Sequence, residues 1–206
     1  MVEKPTTDLE GSSCQHPNGG DFYRQQREKV VQQATSMGFE YPTMSEYPLS
    51  WADDQDPFRH VASSAYMHMV ARCGHRLFES FEGALKEKYE DLIRAQGIGI
   101  VTKYSNAKFK SPLTYPDSII IASRITDVQQ DRILAKFSLW SLQRATITVE
   151  ADLRMIFVDH QRGGPVDLIS RGGVYADLHA DLTNRASNSD RLASEWEEKQ
   201  RRGARL

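Results

Sequence analysis

The sequence predicts an α+β fold in which helical segments precede one antiparallel sheet. Apolar residues recur at helical spacing between Val61 and Phe81, and at every second position in four later stretches. The connections between the last three of those stretches are short and polar, as antiparallel neighbours require. With 206 residues and 39% hydrophobic content, the chain can bury one good core but is short for two.

Residues 1–20 are polar with Pro, Ser and Gly, and read as a loose N-terminal arm because they offer little apolar surface to offset the entropy of ordering. Asp21 then suits a helix N-cap, Val30, Ala34 and Met37 fall at helical spacing, and Gly38 is placed to end a leading helix. Residues 41–51 carry Pro42 and Pro48, which fits an edge or irregular strand. The central helix follows. Val61, Ala65, Met69, Cys73 and Leu77 share one arc, widened by Tyr66, Val70 and Phe81, while His68, Arg72 and His75 take the other side. A further helical stretch covers residues 83–95 and stops before Gly97.

The period then changes to two. Ile98, Ile100, Thr102 and Tyr104 alternate with Gly99, Val101, Lys103 and Ser105 in a strand that runs to Phe109 and breaks at Ser111 and Pro112. Residues 118–126 form a second strand, and 132–142 a third with Ile133, Ala135, Phe137 and Leu139 on one face. In residues 146–157 the apolar set Ile147, Val149, Ala151, Leu153, Met155 and Phe157 alternates with mostly polar positions, so one face is buried. A short helix over 174–182 leads to a charged tail, 186–206, leaving residues 21–185 as one domain with a leading helix.

Composition narrows the function. Lys plus Arg number 26 against 28 Asp plus Glu, so no general basic field draws the chain to nucleic acid or anionic lipid. The longest aliphatic block, Ile119 to Ala122, is far too short to span a membrane. Two cysteines, Cys14 in the arm and Cys73 in the helical pattern, suit a reducing compartment, and the acidic first twenty residues do not resemble a targeting segment. A cytoplasmic protein is expected. His68 and His75 lack a third ligand at matching spacing, so no metal is expected, and the nucleophile-elbow, zinc-protease and phosphate-loop patterns are missing.

The most informative stretch is residues 51–66, where Asp56 precedes the central helix. Exposed amides in a first helical turn favour developing negative charge, so a carboxylate and a polarised carbonyl can share one site there. Asp56 also fits the blander use of Asp as a helix-start residue. The run Asp54, Gln55, Asp56, Pro57, Phe58, Arg59, His60, Val61, Ala62, Ser63, Ser64, Ala65, Tyr66 resembles the pattern D-x-D-x-x-G-H-V-N-N-x-x-Y at both aspartates, His60, Val61 and Tyr66. That pattern belongs to hot-dog-fold acyl-CoA thioesterases of the 4-hydroxybenzoyl-CoA-thioesterase-like family. The segment Phe109 to Asp117 resembles the family's strand-ending Pro-Leu segment, and the leading helix is similar to that of fungal members.

The resemblance implies an antiparallel sheet wrapped around a long central helix, and hydrolysis of acyl-CoA or carrier-bound acyl thioesters. It carries Asp56 over as general base or nucleophile, with His60 beside it and an oxyanion hole from backbone amides around Val61, Ala62, Ser63 and Ser64. Phe58, Arg59 and Tyr66 would line the substrate pocket, and Lys103, Lys108, Lys110 and Arg162 would hold the phosphates of CoA, which is substrate rather than cofactor. Asp54 would be structural. Family members pair their sheets, implying a homodimer or a dimer of dimers. Arg59 stands where the family has Gly, which calls for an ordinary backbone or an altered loop, and Ala62 and Ser63 replace an Asn pair. Two alternatives remain: a hot-dog dehydratase or hydratase using His60 with Asp56, and a non-catalytic acyl-CoA-binding protein.

Overall fold

The computed structural model describes residues 21–203. The expected arm, Cys14 and the last residues of the expected tail lie outside the described residues. In chain order the elements are α1 (Asp21–Ser36), β1 (Ser45–Pro48), α2 (Ser63–Glu79), α3 (Glu82–Leu85), α4 (Tyr89–Ile93), β2 (Ile98–Phe109), β3 (Ser118–Gln129), β4 (Arg132–Ser141), β5 (Thr146–Asp159), α5 (Leu168–Arg171) and α6 (Val174–Gly203). The five strands form one antiparallel sheet in the order β1-β3-β4-β5-β2.

Helix α1 ends where Gly38 was expected to end it. Gly38 takes φ +82, and the amides of Gly38 and Phe39 return to the carbonyls of Thr35 and Ala34 at 3.0 Å each. A side chain at Gly38 would also collide with the backbone of Ser189 in α6. Strand β1 is short and lies at the sheet edge, where Pro48 is tolerated, and Pro42 falls in the 3₁₀ turn Tyr41–Thr43 before it.

Helix α2 buries Ala65, Tyr66, Met69, Val70, Cys73 and Leu77 against the inner face of the sheet, where Ile119, Ile121, Phe137, Leu139, Ala151 and Phe157 meet it. This inner core holds the fold together, since each fully buried large aliphatic or aromatic side chain contributes about 1.5–3 kcal/mol. Burial pushes the Cys73 thiol up to about 12, so it stays protonated in the core and donates to the carbonyl of Thr43 at 3.3 Å.

Four sequence expectations change. The strand faces of β2 do not alternate throughout, because the register slips between Thr102 and Tyr104. Lys103 occupies a bulge, so Ile100 and Thr102 pair with the inward-facing Phe157 and Met155, whereas Tyr104 pairs with Arg154 and is 54% exposed. The sheet buries part of its second face as well: α1 covers the outer side of β3 and β4, with Tyr23, Val30 and Ala34 packed around Ile120, Ala122 and Trp140. The expected helix over 83–95 breaks into α3 and α4, with Lys86 at φ +51 between them.

The expected short helix over 174–182 runs on to Gly203 as α6. Leu178, Leu182, Ala186 and Ser189 are buried, and Arg191–Glu195, Arg201–Glu197 and Arg202–Glu198 pair one turn apart. The charges of the expected tail are thus spaced to support a helix.

Candidate active site

Asp56 lies in a tight loop between β1 and α2. Its amide donates to the carbonyl of His60 at 2.8 Å, and its own carbonyl accepts from the amide of Arg59 at 3.1 Å. One carboxylate oxygen, Oδ1, accepts from the amides of Phe58 (2.8 Å) and His60 (2.9 Å). The other, Oδ2, has no hydrogen-bond partner among the described residues. Asp56 therefore does not cap α2, whose first residue is Ser63 and whose N-cap, Ala62, makes no side-chain cap. It orders its own loop and leaves one oxygen free.

Arg59 keeps the backbone that a glycine would take. Its φ is +67, a left-handed conformation that costs a side-chain-bearing residue about 1–2 kcal/mol. The expectation of an ordinary backbone at Arg59 is corrected. The two amides that flank it are both tied to Asp56 Oδ1, and they hold the turn against that cost.

Asp54, only 4% exposed, anchors the other side of the loop. Its carboxylate accepts from the Ser50 amide at 2.6 Å and the Tyr47 hydroxyl at 3.1 Å, and its carbonyl accepts from the Ala62 amide at 2.7 Å. The Val61 amide donates to the carbonyl of Leu113 at 2.9 Å. Val61 and Ala62 thus have their N–H groups already engaged, which removes two of the four amides expected in an oxyanion hole. Ser63 and Ser64, the first two residues of α2, offer amides with no acceptor among the described residues.

A cleft of about 440 Å³ opens beside this loop, lined by Asp56, His60, Val61, Ser63 and Tyr66 on one side and by residues 109–112 on the other. Tyr66 is the most firmly held of these. The ring is 4% exposed and sits edge-on to Phe109 with centroids 5.2 Å apart, and its oxygen accepts from the Leu113 amide at 3.1 Å. Burial first, and the negative charge of Asp56 to a lesser extent, raise the Tyr66 hydroxyl above its ordinary value against the lowering effects of the Leu113 amide and Arg144. It keeps its proton and can donate it.

The remaining expected residues divide. Phe58 (78% exposed) and Arg59 do not line the cleft, and neither do Ala62 or Ser64. His60 lines it with an exposed ring. Of the four expected phosphate-binding cations only Lys110 borders the cleft, and its ammonium is paired with Glu150 at 2.9 Å. Lys108 faces the same Glu150 across the sheet, Lys103 occupies the bulge, and Arg162 lies in the turn after β5. That turn is beside Ile98, roughly 35 Å along β2 from Phe109, so the four do not converge.

Residues 109–112 are legible in the sequence only as a strand ending, and Arg144 only as part of the tight connection between the last two strands. Arg144 sits in the β4–β5 turn and donates from Nη2 to the carbonyl of Pro112 at 2.7 Å. A second cavity of about 490 Å³ lies at the far end of α2 and β2, among His75, Phe78, Leu92, Ile93, Ile100 and His160. Among the described residues no cluster of three side chains is suited to hold a metal ion, and no helix is long and apolar enough to cross a membrane.

A model of the thioesterase-like superfamily matches residues 50–198, and the chain belongs to that family. A DHNA-CoA thioesterase from Staphylococcus aureus shares the fold with a TM-score of 0.56 and 13% identity, over 68% of this chain and 90% of that one. A second Staphylococcus aureus protein, solved in complex with CoA, matches with a TM-score of 0.55 and 15% identity, over 69% and 84%. A gentisyl-coenzyme A thioesterase matches with a TM-score of 0.52 and 12% identity, over 68% and 98%. The fold is the hot-dog fold. A comparison with curated proteins found no match.

Proposed function

We propose that this member of the thioesterase-like superfamily hydrolyses acyl thioesters of CoA or of an acyl carrier in the Asp56 cleft. The observation that carries the proposal is the division of labour within Asp56: two loop amides hold Oδ1, while Oδ2 is left for chemistry beside the free amides at the start of the 17-residue helix α2. Those amides and the Tyr66 hydroxyl are preorganised donors for the oxyanion of a tetrahedral intermediate. The fold relatives that are CoA thioesterases, or that bind CoA, support the same substrate handle.

In the reaction, Oδ2 takes a proton from water as the water oxygen attacks the thioester carbon. Negative charge passes to the carbonyl oxygen and is held by the Ser63 amide at the cleft. Collapse of the intermediate breaks the carbon–sulfur bond and releases the thiolate, which takes up a proton. Attack by Oδ2 itself on the same carbon would give a mixed anhydride that water then opens. Hydratase chemistry needs an imidazole facing the carboxylate, whereas His60 joins Asp56 through the backbone of one loop.

The working unit of the proposal is a homodimer. Strand β2 ends the sheet with an unpaired edge and exposes Tyr104 and Phe109 by 54% and 53%, so pairing with a second β2 would cover it. On the outer sheet face α1 already covers β3 and β4.

The test is release of free thiol from a panel of aromatic, short, medium and long acyl-CoAs. Release from at least one class, abolished in Asp56→Asn, is the expected result. Protection of the fold against heat by acyl-CoA, with no thiol released from any of them, would replace the hydrolase by a binding protein.

A further inference from the structure

We propose that Arg144 is the anion-recognising residue of the Asp56 cleft, selecting thioesters that carry a phosphate or carboxylate beyond the reacting group. The proposal rests on the hydrolase reading only in taking the cleft as the substrate site. It begins from how firmly the β4–β5 turn is built. Asp117, 1% exposed at the start of β3, accepts from the hydroxyl of Ser141, from the amide of Ser118 at 2.8 Å and from the amide of Gln143 at 3.0 Å. The Ser141 oxygen in turn accepts from the Arg144 amide at 3.1 Å, and Ala145 takes φ +49 to complete the turn.

That construction sends the exposed Arg144 side chain to the back of the cleft wall, where Nη2 meets the carbonyl of Pro112 at 2.7 Å; Pro112 lines the cleft, and Arg144 stands behind it. One of five guanidinium N–H groups is thereby used. Among the described residues no carboxylate lies within ion-pairing distance of Arg144, in contrast to Lys110, which is paired with Glu150. The charge is felt inside the cleft, since it lowers the titration of the Tyr66 hydroxyl, and it acts likewise on the Asp117 carboxyl behind the turn.

A guanidinium held at one nitrogen and open at the others presents the planar fork that matches two oxygens of a phosphate or carboxylate. Two parts of a thioester substrate carry such groups. One is the CoA handle, with its diphosphate and 3′-phosphate, and the other is an acyl chain ending in a carboxylate. Both are anions that an uncharged thioester lacks.

The experiment measures binding, so it does not depend on turnover. The full chain is titrated calorimetrically with CoA, 3′-dephospho-CoA and pantetheine and, in an Asp56→Asn background that does not consume them, with the N-acetylcysteamine thioesters of butyrate and glutarate. Each titration is repeated on Arg144→Gln, which keeps a donor for Pro112 without the charge, and on Arg144→Lys. We expect the wild type to prefer CoA over pantetheine, or the glutaryl over the butyryl thioester, by at least about tenfold, and Arg144→Gln to erase that preference. Loss confined to CoA assigns the handle, with dephospho-CoA separating the two phosphate positions; loss confined to the glutaryl thioester assigns the acyl carboxylate.

Equal weakening of charged and uncharged ligands would show that Arg144 only pins Pro112, and would overturn the proposal. So would a wild type that does not distinguish them, or a preference that survives in Arg144→Gln. If no thioester is hydrolysed while the Arg144-dependent preference persists, the hydrolase reading falls and the anion site stands.

Discussion

At the Ser63 end of α2, separate segments are tied by main-chain hydrogen bonds: the Asp56 loop, the start of the helix, and the residues that follow β2. At the other end of the same helix and strand, the larger cavity is walled by Phe78, Leu92, Ile93 and Ile100 with two imidazoles among them. The first cleft has fixed polar atoms, a left-handed Arg59 and free amides; the second sets apolar walls beside His75, His160 and a Glu79 carboxylate already paired with Arg76 at 2.6 Å. Polar groups held in place before a substrate arrives can stabilise developing charge, whereas apolar walls can only select for size and shape.

The largest effect should come from Asp56. Asparagine still accepts the two loop amides through its carbonyl oxygen but cannot take a proton, so Asp56→Asn should slow thiol release by about 10²–10⁴-fold while thermal unfolding stays close to wild type. A variant that keeps full activity breaks the contrast between the two ends.

Next is Tyr66→Phe. It removes the acceptor of the Leu113 amide inside the protein, leaving a buried donor unsatisfied, and should cost about 1–3 kcal/mol in urea denaturation. Activity should also fall, because Tyr66 lines the cleft and holds its wall at Leu113. Unchanged stability would mean that the cleft wall is not held as described.

A pH-dependent difference should follow at Asp117, whose carboxyl is raised above its ordinary 3.8 chiefly by burial, against four lowering influences: the Ser141 hydroxyl, the Gln143 and Ser118 amides and the Arg144 charge. The folded chain therefore holds this proton more tightly than the unfolded one. Below 3.8 both states are protonated and the group costs nothing; as pH rises through the raised value, ionising the buried carboxyl costs the fold stability. Urea denaturation at a series of pH values should show Asp117→Asn gaining on the wild type as pH rises through that window. A constant difference would remove the buried charge from the account.

The smallest effect belongs to the far cavity. A Cβ at Gly99 would overlap the imidazole of His160, but that ring is exposed and can swing outward. Gly99→Ala should therefore change stability by less than about 1 kcal/mol and leave hydrolysis of the shortest acyl-CoA unchanged. An altered chain-length preference at constant short-chain rate would sharpen the comparison, by placing this cavity against the partner's cleft across paired β2 edges.

Much of this organisation was legible in the residues. The arc from Ala65 to Leu77 is buried against the sheet, and the alternation in residues 146–157 forms β5 with its apolar set inward. The Asp56 stretch was located by its pattern, and the cleft opens there. The cation set was not legible, because charge on a strand says nothing about which end of the sheet it occupies. Phe109 and Pro112 were visible as residues but not as a cleft wall, since that role depends on Tyr66, 43 and 46 positions earlier in the chain.

Periodicity and turn chemistry are local, so the sequence by itself determined the helix face, the strands, the meander of β3 to β5 and the glycine that ends α1. Tertiary structure decided what local preference leaves open or opposes. It holds Arg59 at φ +67 by hydrogen bonds to Asp56, slips the β2 register at Lys103, and extends α6 along buried contacts. It also brings Arg144 onto Pro112, 32 residues away in sequence. Each of these outcomes is set by partners distant along the chain, whose free energy of contact outweighs the preference of the residue itself.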